Sequence, residues 1–142
     1  MTSTSLMRSL SWLHRALVRL TRGRFGGELV GLPSLELVTV GRRSGRPRSS
    51  MLTAPVRLGE TLVVVASAGG NDEHPAWFLN LRDHPQVQVA LGGGPARPML
   101  ARVATPDERA ELWPRVVEAL PNYATYQERT SRVIPVVLLA PV

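Results

Sequence analysis

The sequence predicts an α+β fold that is mainly β: an antiparallel barrel carrying peripheral helices. Three observations lead there. Short alternating or β-branched runs come in pairs joined by tight turns, as hairpins do. Helical signals are few and do not alternate regularly with the strands, as a doubly wound sheet would require. The glycine triplet Gly92-Gly93-Gly94 is followed by a strand and not by a helix, so it makes no dinucleotide-binding turn. A length of 142 residues suits one domain with one real core.

Leu6, Leu10, Leu13, Leu17 and Leu20 recur at spacings of four and three, which puts them on one face of a helix over about residues 5–22. Arg8, Arg15 and Arg22 take the opposite face. These charges exclude a membrane span and interrupt any secretory signal core. Two roles stay open for the leucine face: a cover laid on the barrel, or a peripheral contact with an anionic membrane. Residues 1–30 are thus an N-terminal helix with a glycine-rich connector, and 31–142 the barrel domain. Leu35 to Val40 alternates as a strand, and Arg48 to Leu58 reads as extended up to the Gly59-Glu60 turn. Thr61 to Ala66 is an unbroken apolar run of the kind found in buried strands. Pro75 opens a helix to about Asp83. Gln86 to Leu91 and Arg97 to Ala104 form the next strand pair. Thr105-Pro106-Asp107-Glu108 is a capping box that starts a helix, which Pro114 is expected to kink or break. Pro121-Asn122 restarts a short helix, and Val133 to Ala140 closes the chain as a strand.

Composition narrows the chemistry. There is no cysteine, which removes disulfides, thiolate catalysis and cysteine-ligated metals. All 17 basic residues are arginine, so Schiff-base chemistry and a phosphate-loop lysine are also excluded. His14, His74 and His84 lack metal-ligand spacing, and no metal site is expected. No Gly-x-Ser-x-Gly elbow supports serine hydrolysis. Redox chemistry would have to come from a bound cofactor. The net charge of +6 suits an acidic ligand, nucleic acid or an anionic surface without choosing among them.

The most informative stretch is the turn after the first strand. Arg42, Arg43, Arg46 and Arg48 crowd a tip shaped by Gly41, Gly45 and Pro47. Guanidinium groups so close together repel one another, and their planar donor forks fit phosphate and carboxylate oxygens in pairs. The alternative is a solvated basic turn. A later segment, Val65-Ala-Ser-Ala-Gly-Gly-Asn-Asp-Glu-His-Pro-Ala-Trp-Phe-Leu-Asn80, joins a glycine-freed loop to the helix opened by Pro75.

These two blocks, in this order, resemble the deazaflavin-dependent nitroreductase family, group A of the flavin/deazaflavin oxidoreductases, whose members bind coenzyme F420. That family pairs a Gly-Arg-Lys/Arg-Ser-Gly-x-x-Arg turn with an Ala-Ser-x-Gly-Gly loop and a His/Asn-Pro-x-Trp helix start. The resemblance continues through Thr105-Pro-Asp-Glu-Arg, Leu112-Trp-Pro, Tyr123-Ala-Thr-Tyr-Gln and Ile134-Pro-Val-Val, so it spans about residues 30–142. It implies a split β-barrel of the flavin-binding type. It also implies an oxidoreductase in which reduced deazaflavin gives a hydride to an organic acceptor: a quinone, an enone or lactone, or a nitroaromatic. Carried over by position, Arg43 and Arg48 hold the cofactor's phosphate and acidic tail, with Arg42 and Ser44 completing the turn. Ser49, Ser50, Met51 and Leu52 run beside the ring. Val65, Ala66, Ser67 and Ala68 supply main-chain donors next to Gly69 and Gly70, and Ala76, Trp77 and Asn80 line the cofactor from the helix. Tyr123 and Tyr126, one helical turn apart, wall the substrate side, and one of them is expected to donate a proton, the alternative being a plain packing role.

Departures from the family pattern fall on the pocket wall. Ala68 replaces a common lysine or asparagine, Met51 a proline, Thr53 a tyrosine, and Leu120 the first of three tyrosines. Alternatives to the deazaflavin reductase are a flavin mononucleotide enzyme on the same barrel and a non-catalytic binding module for cofactor or nucleic acid. Nucleic acid is disfavoured because the tryptophans do not interleave with arginine as a stacking platform needs. A cytoplasmic location is expected, at the inner face of the membrane if the leucine helix binds it.

Overall fold

The computed structural model describes residues 32–142. The helix expected over 5–22 and its connector lie outside the described residues. Seven strands make one antiparallel sheet: β1 (Ser34–Val40), β2 (Pro47–Thr53), β3 (Val56–Leu58), β4 (Thr61–Val65), β5 (Gln86–Leu91), β6 (Ala96–Val103) and β7 (Val136–Pro141). Their order is β2-β1-β5-β6-β7-β4-β3, and the sheet curls into a half-barrel. Three helices attend it: α1 (Ala76–Asp83), α2 (Pro106–Ala119) and α3 (Asn122–Glu128). This is the α+β split barrel.

The residue pattern explains the layering. On β1, Leu35, Leu37 and Thr39 are buried while Ser34, Glu36 and Val40 face outward. Every residue of β4 is buried, because each of its faces meets a different core. Leu62 and Val64 point into the curl with Leu35, Leu37, Val89 and Met99, closed off by Trp77, Phe78 and Leu81 of α1. Val63 and Val65 pack outward with Leu138 and Ile134 against Leu112 and Val116 of α2. Each such aliphatic side chain contributes roughly 1.5–3 kcal/mol by burial. α2 begins with a complete capping box: the Glu108 amide donates to Thr105 Oγ1, and the Thr105 amide to Glu108 Oε1.

Three expectations are corrected. The extended run Arg48–Leu58 is two strands, β2 and β3, on opposite edges of the sheet. Ala54 and Pro55 carry the chain between the edges, and Pro55 has no N–H to continue a ladder. The Ala54 amide donates to the Pro33 carbonyl at 3.0 Å, drawing this crossing onto the start of β1. α2 is not broken at Pro114 but runs on to Ala119. Pro114 and Ala110 are both exposed, so the carbonyl that loses its donor faces water, while Leu112 and Val116 anchor the helix on either side. The last strand starts at Val136 and not Val133, because residues 130–135 are engaged by loop contacts described below.

Candidate cofactor groove and active site

The turn between β1 and β2 is built by its backbone. The Gly41 amide donates to the Arg46 carbonyl and the Gly45 amide to the Gly41 carbonyl, both at 2.8 Å. Ser44 Oγ accepts from the Arg46 amide at 3.1 Å. A Cβ on Gly41 would sit 2.7 Å from Ser44 Oγ and 3.2 Å from the Arg46 carbonyl, so a larger residue would displace the hydroxyl that caps the turn. Asn80 of α1 fixes the turn to the barrel. Its Oδ1 accepts from the Arg42 amide (3.1 Å) and Arg42 Nη1 (3.3 Å), and its Nδ2 donates to Thr39 Oγ1 (3.1 Å). Asn80 is only 3% exposed, so its carboxamide is committed to holding the turn even where its side lines the groove. Arg43 and Arg48 remain exposed at the tip.

Beyond β4 the chain makes a 3₁₀ turn at Ala68–Gly70 in which three successive residues have positive φ: 47°, 65° and 86°. Glycine adopts this conformation freely and alanine does not. Gly70 packs so closely that a Cβ would lie 2.7 Å from the Tyr126 carbonyl. The loop is held from behind by arginines that sequence reasoning did not single out. Arg129 Nη1 donates to the Gly69 carbonyl at 3.2 Å, and Arg132 donates to the carbonyls of Ala66, Ser67 and Asn71. Arg132 Nη1 also lies 3.0 Å from His74 Nδ1. Arginine can only donate, so that histidine nitrogen accepts and the ring is neutral. Burial, then the charges of Arg132 and Arg82, lower the His74 pKa, which keeps it so.

Two adjoining cavities share Trp77. The first, about 440 Å³, is lined by Gly41, Arg42, Arg43, Ser44, Arg48, Ser49, Ser50, Ala76, Trp77 and Asn80. Three arginines line it beside the N-terminus of α1, against one carboxylate, Glu36, that accepts from the lining Ser49 Oγ at 2.6 Å, so its field is positive. The second, about 370 Å³, is walled by Met51, Leu52, Thr53, Val65, Ser67, Ala68, Gly69, Leu120, Tyr123 and Tyr126, with Pro75, Trp77 and Asn122 completing it. The tyrosine rings meet edge to face at 5.8 Å. Burial, and then Tyr126, raise the Tyr123 phenol pKa, so it is protonated at neutral pH and can donate. Asn122 Nδ2 donates to Tyr126 Oη at 2.9 Å.

Most of the residues proposed from sequence thus converge on one groove that is cationic at one end and aromatic at the other. Ala66 and Gly70 line neither cavity: Ala66 lies in the inner core, and Gly70 backs the loop onto α3. Trp77 is at once a core aromatic, edge to face with Phe78, and the partition between the cavities. Thr53 and Leu120, noted from sequence only as departures, line the second cavity, as do Pro75 and Asn122. Arg46, the fourth turn arginine, lines neither.

Comparison with known proteins identifies the family. The profile of a family of F420H(2)-dependent quinone reductases matches residues 10–141. An F420H(2)-dependent quinone reductase of Mycobacterium tuberculosis is 42% identical over 133 residues, which cover 89% of this chain and 87% of that protein. The solved structure of an F420-H2-dependent reductase, FDR-A, superposes with a TM-score of 0.66 at 36% identity, covering 75% of this chain and 92% of that one. A further structure, of a domain-swapped dimer, gives a TM-score of 0.67 at 32% identity over 91% of this chain and 97% of its own. The flavin mononucleotide alternative finds no support among these relatives. With its split barrel, arginine turn and tyrosine-walled groove, this chain belongs to the F420H(2)-dependent quinone reductase family and is an oxidoreductase.

Proposed function

We propose that the groove binds coenzyme F420 along its length and reduces a quinone-like organic acceptor at the tyrosine end. The observation that carries this is that an arginine-lined cavity and an aromatic-walled one meet at Trp77, their shared wall. When bound, the reduced deazaflavin supplies the hydride. Arg43 and Arg48, with Arg42 behind them, hold the phosphate and acidic tail. Ser49, Ser50, Met51 and Leu52 on β2, with Val65, Ser67, Ala68 and Gly69, flank the ring. Apolar side chains of Met51, Leu52 and Leu120 beside the tyrosine rings favour a flat, apolar acceptor over a charged one. Enone, lactone and nitroaromatic acceptors fit the same walls, and the quinone is favoured because it is the acceptor named for the relatives.

Titration with the deazaflavin and with flavin mononucleotide, followed by quenching of tryptophan fluorescence, tests the cofactor. Trp77 at the partition should report both, and the deazaflavin should bind more tightly because its longer acidic tail reaches more guanidinium donors. Equal or tighter flavin affinity would overturn the reading.

Either tyrosine of the wall can serve as the proton donor, since both line the second cavity. Whichever tyrosine donates, its change to Phe should lower turnover by about a hundredfold or more with cofactor affinity intact. Unchanged rates in both variants would reduce the tyrosines to packing residues.

Among the described residues no helix is long and apolar enough to cross a membrane. The leucine face of residues 6–20 is proposed to bring a cytoplasmic enzyme to anionic membrane surfaces, where apolar acceptors dissolve. Co-sedimentation with anionic vesicles should fall when residues 1–22 are removed and as salt is raised; no sedimentation of the intact chain would remove this role.

A further inference from the structure

We propose that Arg132, which lines neither cavity, is the positioning residue that sets the cofactor loop against the tyrosine wall. The inference rests on the deazaflavin reading above and assigns a determinant of it. Four contacts use the guanidinium almost completely: Nε to the Asn71 carbonyl (2.8 Å), Nη2 to the Ser67 carbonyl (2.9 Å), Nη1 to the Ala66 carbonyl (3.3 Å), and Nη1 to His74 Nδ1 (3.0 Å). All four acceptors are neutral, and three of them are carbonyls of one loop.

That loop has little to hold it in its own backbone. Its internal bonds are two, Gly70 amide to Ser67 carbonyl and Asn71 amide to Ala68 carbonyl, across three residues of positive φ. Ala68 in this region is strained, and strained backbone persists where its surroundings over-determine it. Arg132 supplies that determination from the opposite wall. Its own backbone is tied to α3 and the turn after it: Gln127 Nε2 donates to the Arg132 carbonyl at 2.7 Å, and the Arg132 amide to Thr130 Oγ1 at 3.3 Å. α3 carries Tyr123 and Tyr126. One side chain therefore links the loop, the tyrosine helix, and, through His74, the start of the helix bearing Trp77. Arg129, over the Tyr126 ring and bonded to Gly69, reinforces the link at one further carbonyl.

Neither core depends on this arginine, so its loss should free the loop and leave the barrel folded. Arg132→Met removes every donor, and Arg132→Lys keeps the charge but cannot reach four divergent acceptors. Cofactor affinity should fall roughly ten- to a hundredfold in Arg132→Met and less in Arg132→Lys, as expected for hydrogen bonds from a charged group. The rate at saturating cofactor should fall as well, because a displaced loop seats the ring badly even when it binds. Arg102→Met, which breaks the paired 2.7 Å contacts to Glu108 on α2, is the comparison: it should lower the melting temperature with cofactor affinity and saturated rate unchanged. If the wild type binds no deazaflavin, the cofactor reading falls and this inference with it. If the wild type binds and both Arg132 variants match it in affinity and saturated rate, the positioning role alone is overturned. Should Arg132→Met fail to fold, Arg132→Lys decides by the same two readouts.

Discussion

Removing both exposed guanidinium groups of the turn should nearly abolish cofactor binding. Arg43 and Arg48 face the first cavity, which no carboxylate lines, and among the described contacts neither donates a side-chain hydrogen bond to another residue. Hydrogen bonds from charged groups to an anionic ligand are worth about 1.5–3 kcal/mol each, so Arg43→Ala and Arg48→Ala should each weaken binding by roughly ten- to a hundredfold. The double variant should lose more than either, though less than the product if both grip one phosphate. Thermal stability should hold or rise slightly, since the turn's own closure runs through Gly41, Gly45, Ser44 and Asn80 and the deleted charges repel each other. Cofactor titration beside thermal melts checks this. Normal binding by both single variants would mean that the acidic tail lies elsewhere. By contrast, Asn80→Ala should act indirectly, by releasing Arg42 and the turn from α1.

The second large effect is expected at Gly70. Gly69 and Gly70 share a positive φ, but only Gly70 is hemmed in: a Cβ there meets the Tyr126 carbonyl at 2.7 Å and Arg129 Cβ at 3.0 Å, while nothing lies within 4 Å of one on Gly69. Gly69→Ala should therefore cost about 1–2 kcal/mol, the conformational penalty alone. Gly70→Ala adds a backbone collision that only a shift of the loop away from α3 can relieve, for a total of roughly 2–4 kcal/mol. That shift would also open the second cavity between Ser67 and the tyrosines, so acceptor turnover should fall more in Gly70→Ala than in Gly69→Ala. Denaturant unfolding of the two variants separates the contributions; equal losses would show that close approach is not the constraint at Gly70.

The sequence by itself determined the local features, because each rests on neighbours in the chain. The alternation of β1 and β5, the buried run of β4, the capping box of α2 and the arginine turn were all legible this way. So was the pairing of Tyr123 with Tyr126, since one helical turn sets it. The order of motifs was specific enough to indicate the family and, through it, the barrel. What tertiary structure alone decided involves residues far apart in sequence. That Arg48–Leu58 divides between opposite edges depends on how the sheet curls, which no local pattern encodes. Pro114 is tolerated because two anchored residues and water around its freed carbonyl outweigh a local preference. Asn80 looked like a lining residue and proved to be the clamp of a turn 38 residues away, a contact set by where α1 docks. Arg132 gave no signal at all: in a chain whose 17 cations are all arginine, only its four acceptors, on one stretch between Ala66 and His74 far from it in sequence, distinguish it from a surface charge.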